Sequence, residues 1–180
     1  MQLPDAAMSG RIAKPPVSPG RAALAAGLWA VAIGLVVQAT AARAAEAWLA
    51  AQLAALYVPG HTAATGDIFF AGLGTRLPIG LQITSECTVA ILIVPMLLLA
   101  GIMSLHHRFG IGDILAGLGA GVAVDVGTNQ VRMALIMWAT GRYGTHAGYA
   151  VTHKLIGSVI AMLGFTVALV LMVRIVSRSE

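Results

Sequence analysis

The chain has 180 residues, of which 58% are hydrophobic and only 10% are charged. Because a soluble domain has about 45–50% apolar and about 25% charged residues, this composition excludes an ordinary soluble protein and indicates an integral membrane protein. The net charge of +4 comes without a basic run or an aromatic-basic alternation. The charges therefore predict membrane topology and no nucleic-acid partner. The single cysteine, Cys87, excludes an intramolecular disulfide and any zinc site built on cysteine pairs.

The N-terminal part is expected to be a tail followed by a membrane helix. Residues 1–20 are basic and proline-rich without an apolar period, which predicts a disordered basic cytoplasmic tail. The apolar run after Arg21 is about 21 residues long, enough for one crossing. Small residues near its end also fit a signal peptide. A retained helix is favoured because apolar residues continue toward Tyr57, so residues 21–180 are expected to form one membrane-embedded domain.

A segment with strand-like pieces follows Pro59 and Gly60, which end the helical pattern. It contains "DIFF" and "LQITS" between connections that are rich in glycine and proline. Because such backbone cannot face lipid with its amides unpaired, the pattern predicts a small extracytoplasmic β-hairpin.

Three further apolar segments, residues 88–105, 111–126 and 155–176, predict an all-α integral membrane protein with about four transmembrane helices. Four crossings place both termini on one side. Six basic residues lie on that side against five on the other, which favours a plasma-membrane protein with cytoplasmic termini. Gly117 and Gly121 stand one turn apart and predict the close approach of another helix.

This topology brings three chemically distinct residues to the same depth at the outer face of the membrane. Cys87 begins the second crossing, Arg132 follows the third and His153 precedes the fourth. A guanidinium favours the reactive thiolate of a neighbouring cysteine, or else stabilises the oxyanion of a tetrahedral intermediate. A histidine can take the thiol proton and return it to a leaving amine. We therefore interpret Cys87, Arg132 and His153 as candidate catalytic residues.

Two residues on the third helix are candidates for orienting or substrate-binding roles. Asn129 shares a helix face with Arg132 and is expected to orient it or to bind the substrate backbone. Asp125, about one turn earlier, is expected to pair with Arg132 or to orient His153, and a structural role fits equally well.

Other polar residues near the expected site are weaker candidates. His146 lies in a glycine-rich loop, and His61 would reach the site only if the hairpin folded over it. Glu86 is expected to face solvent. No metal site is predicted.

Three short segments resemble the exosortase/archaeosortase family of membrane-embedded cysteine transpeptidase-like enzymes. They are "ITSECT" before an apolar helix, "TNQVRMAL", and "VTHKLIGS" at the start of the last helix. The family pattern has a cysteine after a short strand, an Asn-x-x-Arg motif, and a histidine followed closely by glycine. These positions correspond here to Cys87, Asn129 with Arg132, and His153 with Gly157, and the resemblance covers about residues 60–176.

The resemblance implies cleavage of C-terminal sorting tails of exported proteins at the outer face of the membrane, without a cofactor. Cys87 would form a thioester, Arg132 would be its electrostatic partner and His153 the acid and base. The implied acceptor is a lipid or a glycan. Thr88 and Val89 replace the usual Ser-Gly, and many members have about eight helices. These departures suggest a different substrate or a companion subunit.

The alternative is a non-enzymatic membrane assembly factor or scaffold. Its glycine-faced third helix would pack against a partner, its outer hairpin would bind one, and Cys87→Ala would be silent. A transporter is disfavoured because the chain has no internal repeat.

Overall fold

The computed structural model describes residues 17–144, 148, 149 and 151–178. His146 and most of the expected tail lie outside these described residues. The elements in chain order are α1 (Pro19–Val37), α2 (Ala39–Ala54), β1 (His61–Thr65), β2 (Ile68–Leu73), β3 (Ile79–Gln82), α3 (Ala90–Ser104), α4 (Ile111–Gly144), a π-helical turn (Thr152–Ile156) and α5 (Gly157–Ser177). The fold is therefore mostly helical, as predicted, with one small sheet.

Three helices, α1, α4 and α5, are long and apolar enough to cross a membrane. Helix α3 has only 15 residues. At about 1.5 Å per residue it spans about 22 Å, less than a hydrocarbon core of about 30 Å. Three of the four expected crossings thus have the required length in the described part of the chain. The 34 residues of α4 extend over about 51 Å, so this helix is longer than a bilayer core.

The expected hairpin is wrong in strand number, because the insertion is a three-stranded antiparallel sheet in the order β1-β2-β3. Strand β1 has the sequence HTAAT, whose alanines give little strand signal. Strand β3 begins at Ile79 and ends at Gln82, so it covers only the start of "LQITS". The third strand matters because an isolated hairpin is only marginally stable in water.

Close packing of α4 is confirmed, and its partner is α5 of the same chain. A Cβ added at Gly117 would lie 2.9 Å from the Met172 carbonyl oxygen and 3.2 Å from a methyl of Val176. A Cβ added at Gly121 would lie 3.1 Å from the Ala168 carbonyl oxygen. Only a residue without a side chain permits this approach of two helix backbones.

Helix α1 is tied to the turn between α3 and α4. The Arg21 guanidinium donates to the carbonyl oxygens of Ser104 (3.2 Å), His106 (2.8 Å) and Phe109 (2.8 Å). These acceptors include carbonyls that the end of α3 leaves unpaired. The start of α1, the end of α3 and the start of α4 therefore meet at one end of the molecule. The sheet lies at the other end, where it packs with α2 and the second half of α4 in a buried apolar cluster that includes Phe69, Ile83, Cys87, Ile136 and Met137.

Candidate active site

Cys87 lies in the short connection between β3 and α3. Its backbone N–H donates to the Thr84 carbonyl oxygen at 3.0 Å, which forms a turn before the helix begins. The side chain is only 1% exposed. Glu86 beside it is exposed, as expected. The strand, the turn and the helix together aim the thiol into the protein.

Two side chains from distant parts of the sequence contact this thiol. The Sγ atom of Cys87 lies 2.7 Å from Nε2 of His153. Nη2 of Arg132 donates to the same sulfur at 3.6 Å, and Nη1 donates to the Glu86 carbonyl oxygen at 3.4 Å. All three side chains are buried. The prediction that Cys87, Arg132 and His153 lie together is therefore confirmed, while their catalytic roles stay a prediction.

His153 lies in the π-helical turn, which leads directly into α5. The Thr152 hydroxyl donates to the Gly148 carbonyl oxygen. The Tyr149 ring stacks on the His153 ring, with centroids 4.8 Å apart and an interplanar angle of 20°. Short π-helical turns within helices occur frequently at functional sites. Here the turn holds the imidazole against an aromatic face.

Gly157 has a steric role in this site. A Cβ at this position would lie 2.7 Å from Nε of Arg132 and 2.8 Å from the Thr152 carbonyl oxygen. The guanidinium can reach the thiol only because residue 157 has no side chain. The spacing from His153 to Gly157 thus has a physical reason in the packing of Arg132 against the last helix.

Glu46, on α2, was missed as a site residue. Its carboxylate accepts hydrogen bonds from the Thr88 hydroxyl, from the Val89 N–H at 3.0 Å and from the Asn129 amide at 3.4 Å. Burial raises the pKa of Glu46, and the hydrogen bonds from Thr88 and Val89 and the charge of Arg43 oppose that rise. Glu46 therefore caps the start of α3 and connects α2, α3 and α4 directly behind the cysteine turn.

Asn129 and Asp125 do not take the positions expected of them. Asn129 donates to Glu46 behind the cysteine turn and has no described hydrogen bond to Arg132, while its alternative role in substrate binding stays a prediction. Asp125 is 1% exposed, and neither carboxylate oxygen has a hydrogen-bond partner among the described residues. Seven residues separate Asp125 from Arg132, about 10 Å along the helix axis. The expected pairing of Asp125 with Arg132 or His153 is wrong.

Of the weaker histidine candidates, the structure describes only His61, which stays outside the cluster. His61 is an exposed residue of strand β1. No group of three His, Cys, Asp or Glu side chains in the described part of the chain could hold a metal ion.

Comparisons of the chain with protein-family models, with curated proteins and with solved structures found no significant match. The resemblance to exosortases therefore rests on the motif residues of this chain alone.

The cluster has the parts of an activated thiol. The imidazole nitrogen is positioned to take the proton of the sulfur, and the guanidinium adds a fixed positive charge beside the resulting thiolate. Because all three groups are buried, their electrostatic interaction is screened less than it would be at a surface.

Proposed function

We propose that this protein is an exosortase-like membrane cysteine peptidase or transpeptidase that processes C-terminal sorting tails of exported proteins. The observation that carries the proposal is the contact of the Cys87 sulfur with both Nε2 of His153 (2.7 Å) and Nη2 of Arg132 (3.6 Å). A buried thiol that only fills space needs neither a base nor a cation.

The proposed reaction begins when His153 takes the proton of the Cys87 thiol. The thiolate attacks the carbonyl carbon of the scissile peptide bond and forms a tetrahedral intermediate. When the intermediate collapses, the carbon–nitrogen bond breaks and His153 returns its proton to the leaving amine. A thioester on Cys87 remains. Water then resolves it by hydrolysis, or a hydroxyl or amine of a lipid or glycan acceptor resolves it by transfer.

Arg132 acts as the electrostatic partner in this scheme. Its positive charge favours the thiolate before attack, and the same guanidinium, 3.6 Å from the sulfur, would stabilise the negative charge that develops on the substrate carbonyl oxygen. A fixed, preorganised cation is suited to this role because it needs no reorganisation during the reaction.

We place the site at the outer face of the plasma membrane. Arg132 lies 21 residues after the start of α4 at Ile111, about 32 Å along the helix. A helix that enters the bilayer at Ile111 therefore brings Arg132 to the opposite interface, near the sheet. The start of α1 and the end of α5 lie near the start of α4, which supports two termini on the cytoplasmic side.

The scaffold alternative keeps one of its two partner surfaces, the outer sheet. The other, the face of Gly117 and Gly121, is occupied by the backbone of α5.

The test compares cells that make the wild-type chain with cells that make Cys87→Ala or Cys87→Ser, at matched amounts of inserted protein. C-terminal peptides of exported proteins are identified by mass spectrometry. We expect one or more exported proteins to lose a hydrophobic C-terminal tail only with the wild-type chain. A Gly127→Ala variant, whose added Cβ would meet no atom within 4 Å, serves as the folding control. Identical C-terminal peptides in wild-type and Cys87→Ala cells would contradict the proposal.

A further inference from the structure

A cleft of about 470 Å³ lies between strand β3 and the C-terminal end of α4. One wall consists of residues 77–82, and the other consists of Thr140, Gly141, Gly144 and Tyr149. This volume is within the range of about 300–1,000 Å³ that is typical of ligand sites. In the first wall, residues 79–82 form β3, the edge strand of the sheet, and residues 77 and 78 directly precede it.

Strand β3 has a free edge that faces away from β2. It pairs only with β2 among the residues that the structure describes. The Ile83 N–H donates to the Asp67 carbonyl oxygen at 2.8 Å, so the backbone groups of Ile83 point toward β2. Because these directions alternate along an antiparallel strand, the N–H and C=O groups of Gly80 and Gln82 point outward.

The cleft is adjacent to the candidate active site in two ways. The turn that carries Cys87 follows β3 directly, so this edge leads toward the thiol. Tyr149 lines the cleft and also stacks on His153. A peptide lying along β3 would therefore contact the Tyr149 ring, which stacks on the imidazole of His153.

We propose that this cleft binds an extended segment of the substrate peptide as a fourth strand on β3. The outward N–H and C=O groups of Gly80 and Gln82 would pair with the backbone of that segment and present the next peptide bond to Cys87. An extended peptide fits this edge because it supplies alternating donors and acceptors, which a lipid chain does not. The inference rests on the proposed function and adds how the substrate is held. Recognition is through the peptide backbone and tolerates different side chains.

The probe is N-acetyl-trialanyl chloromethyl ketone, which alkylates a thiol with loss of chloride. Its matched analogue is methylated on the internal amide nitrogens and cannot donate to a strand. Both are reacted with the full chain in detergent micelles, and iodoacetamide in parallel reports the intrinsic reactivity of Cys87. Gln82→Pro removes one outward N–H without removing a ladder bond, and Gln82→Ala is its control.

We expect the unmethylated peptide to label Cys87 about tenfold faster than its methylated analogue, the effect of about one or two net hydrogen bonds. Gln82→Ala should keep the labelling rate of the unmethylated peptide, and Gln82→Pro should lower that rate by about two- to tenfold because a peptide carbonyl loses its donor, while iodoacetamide labels all three proteins equally. Equal rates for the two peptides on the wild-type chain overturn the proposal whether or not Gln82→Pro folds. A dimer that dissociates in Gln82→Pro also overturns it, because a second copy would then occupy the edge. The proposed function is tested separately by iodoacetamide. It would be contradicted if Arg132→Ala labelled at the same rate as the wild-type chain.

Discussion

Gly157→Ala tests whether the contact between Arg132 and the thiol depends on the last helix. The added Cβ would lie 2.7 Å from Nε of Arg132, whereas ordinary contacts begin at 3.4 Å, so the guanidinium must move by about 0.7 Å. The same Cβ lies 2.8 Å from the Thr152 carbonyl oxygen, which is backbone of the π-helical turn and yields less easily. Overpacking of this kind costs about 1–3 kcal/mol of stability.

The larger effect is expected on the reactivity of Cys87. Nη2 of Arg132 already lies 3.6 Å from the sulfur, and a shift of the guanidinium weakens a hydrogen bond to a charged group worth about 1.5–3 kcal/mol. Iodoacetamide labelling near neutral pH should therefore slow by about 10- to 100-fold. The assay is the labelling rate of the purified chain in micelles, followed by intact-protein mass spectrometry.

Gly127→Ala provides the matched control, because a Cβ there meets no atom within 4 Å. We expect this variant to label at the wild-type rate. Wild-type labelling in Gly157→Ala, with a folded protein by thermal unfolding, would refute the steric reasoning.

Three further variants test other parts of the structure. Burial raises the pKa of Glu46, so the folded chain holds this proton to a higher pH than the unfolded chain. Stability from this group is therefore lost as pH rises from the ordinary pKa of 4.5 toward the raised pKa of the folded chain, and the Tm advantage of wild type over Glu46→Gln should shrink over that rise. A Tm advantage of wild type that grows as pH rises would contradict this reasoning. Gly117→Ala would place a Cβ 2.9 Å from the Met172 carbonyl oxygen and should destabilise the protein by about 1–3 kcal/mol in denaturant titration. Gly119→Ala has open space at its Cβ and should leave stability unchanged. Equal losses of stability in the two variants would argue against the α4–α5 packing. Asp125→Asn should leave thiol labelling within about twofold of wild type, since Asp125 has no described hydrogen-bond contact with the site. A tenfold decrease would contradict that.

The sequence predicted the long helices and the meeting of the three candidate catalytic residues. Uninterrupted apolar runs predict α1, α4 and α5 because length and composition alone decide whether a helix suits a membrane. Reversal of chain direction in successive helices then brings Cys87, Arg132 and His153 to one level. That inference needs only topology, which explains why it succeeded for residues far apart in the sequence.

The residues and backbone features that hold these three side chains in place could not be predicted in the same way. Glu46 looks like a surface charge in its own helix, and its role appears only when the start of α3 packs against the middle of α2. One available signal was its position between alanines, since a buried charge in an apolar segment usually has partners. The π-helical turn at His153 and the inward, unpaired Asp125 depend on tertiary packing that no local pattern encodes.

The most direct test of the proposed function is the rate of Cys87 alkylation across pH in wild type, Arg132→Ala and His153→Ala. The wild-type chain should react rapidly, and Arg132→Ala should lose that reactivity because the cation beside the sulfur is gone. His153→Ala should change the pH dependence, since the base in contact with the sulfur is gone. Slow labelling with the pH profile of an ordinary thiol, equal in all three proteins, would contradict an activated nucleophile and make Cys87 a packing residue.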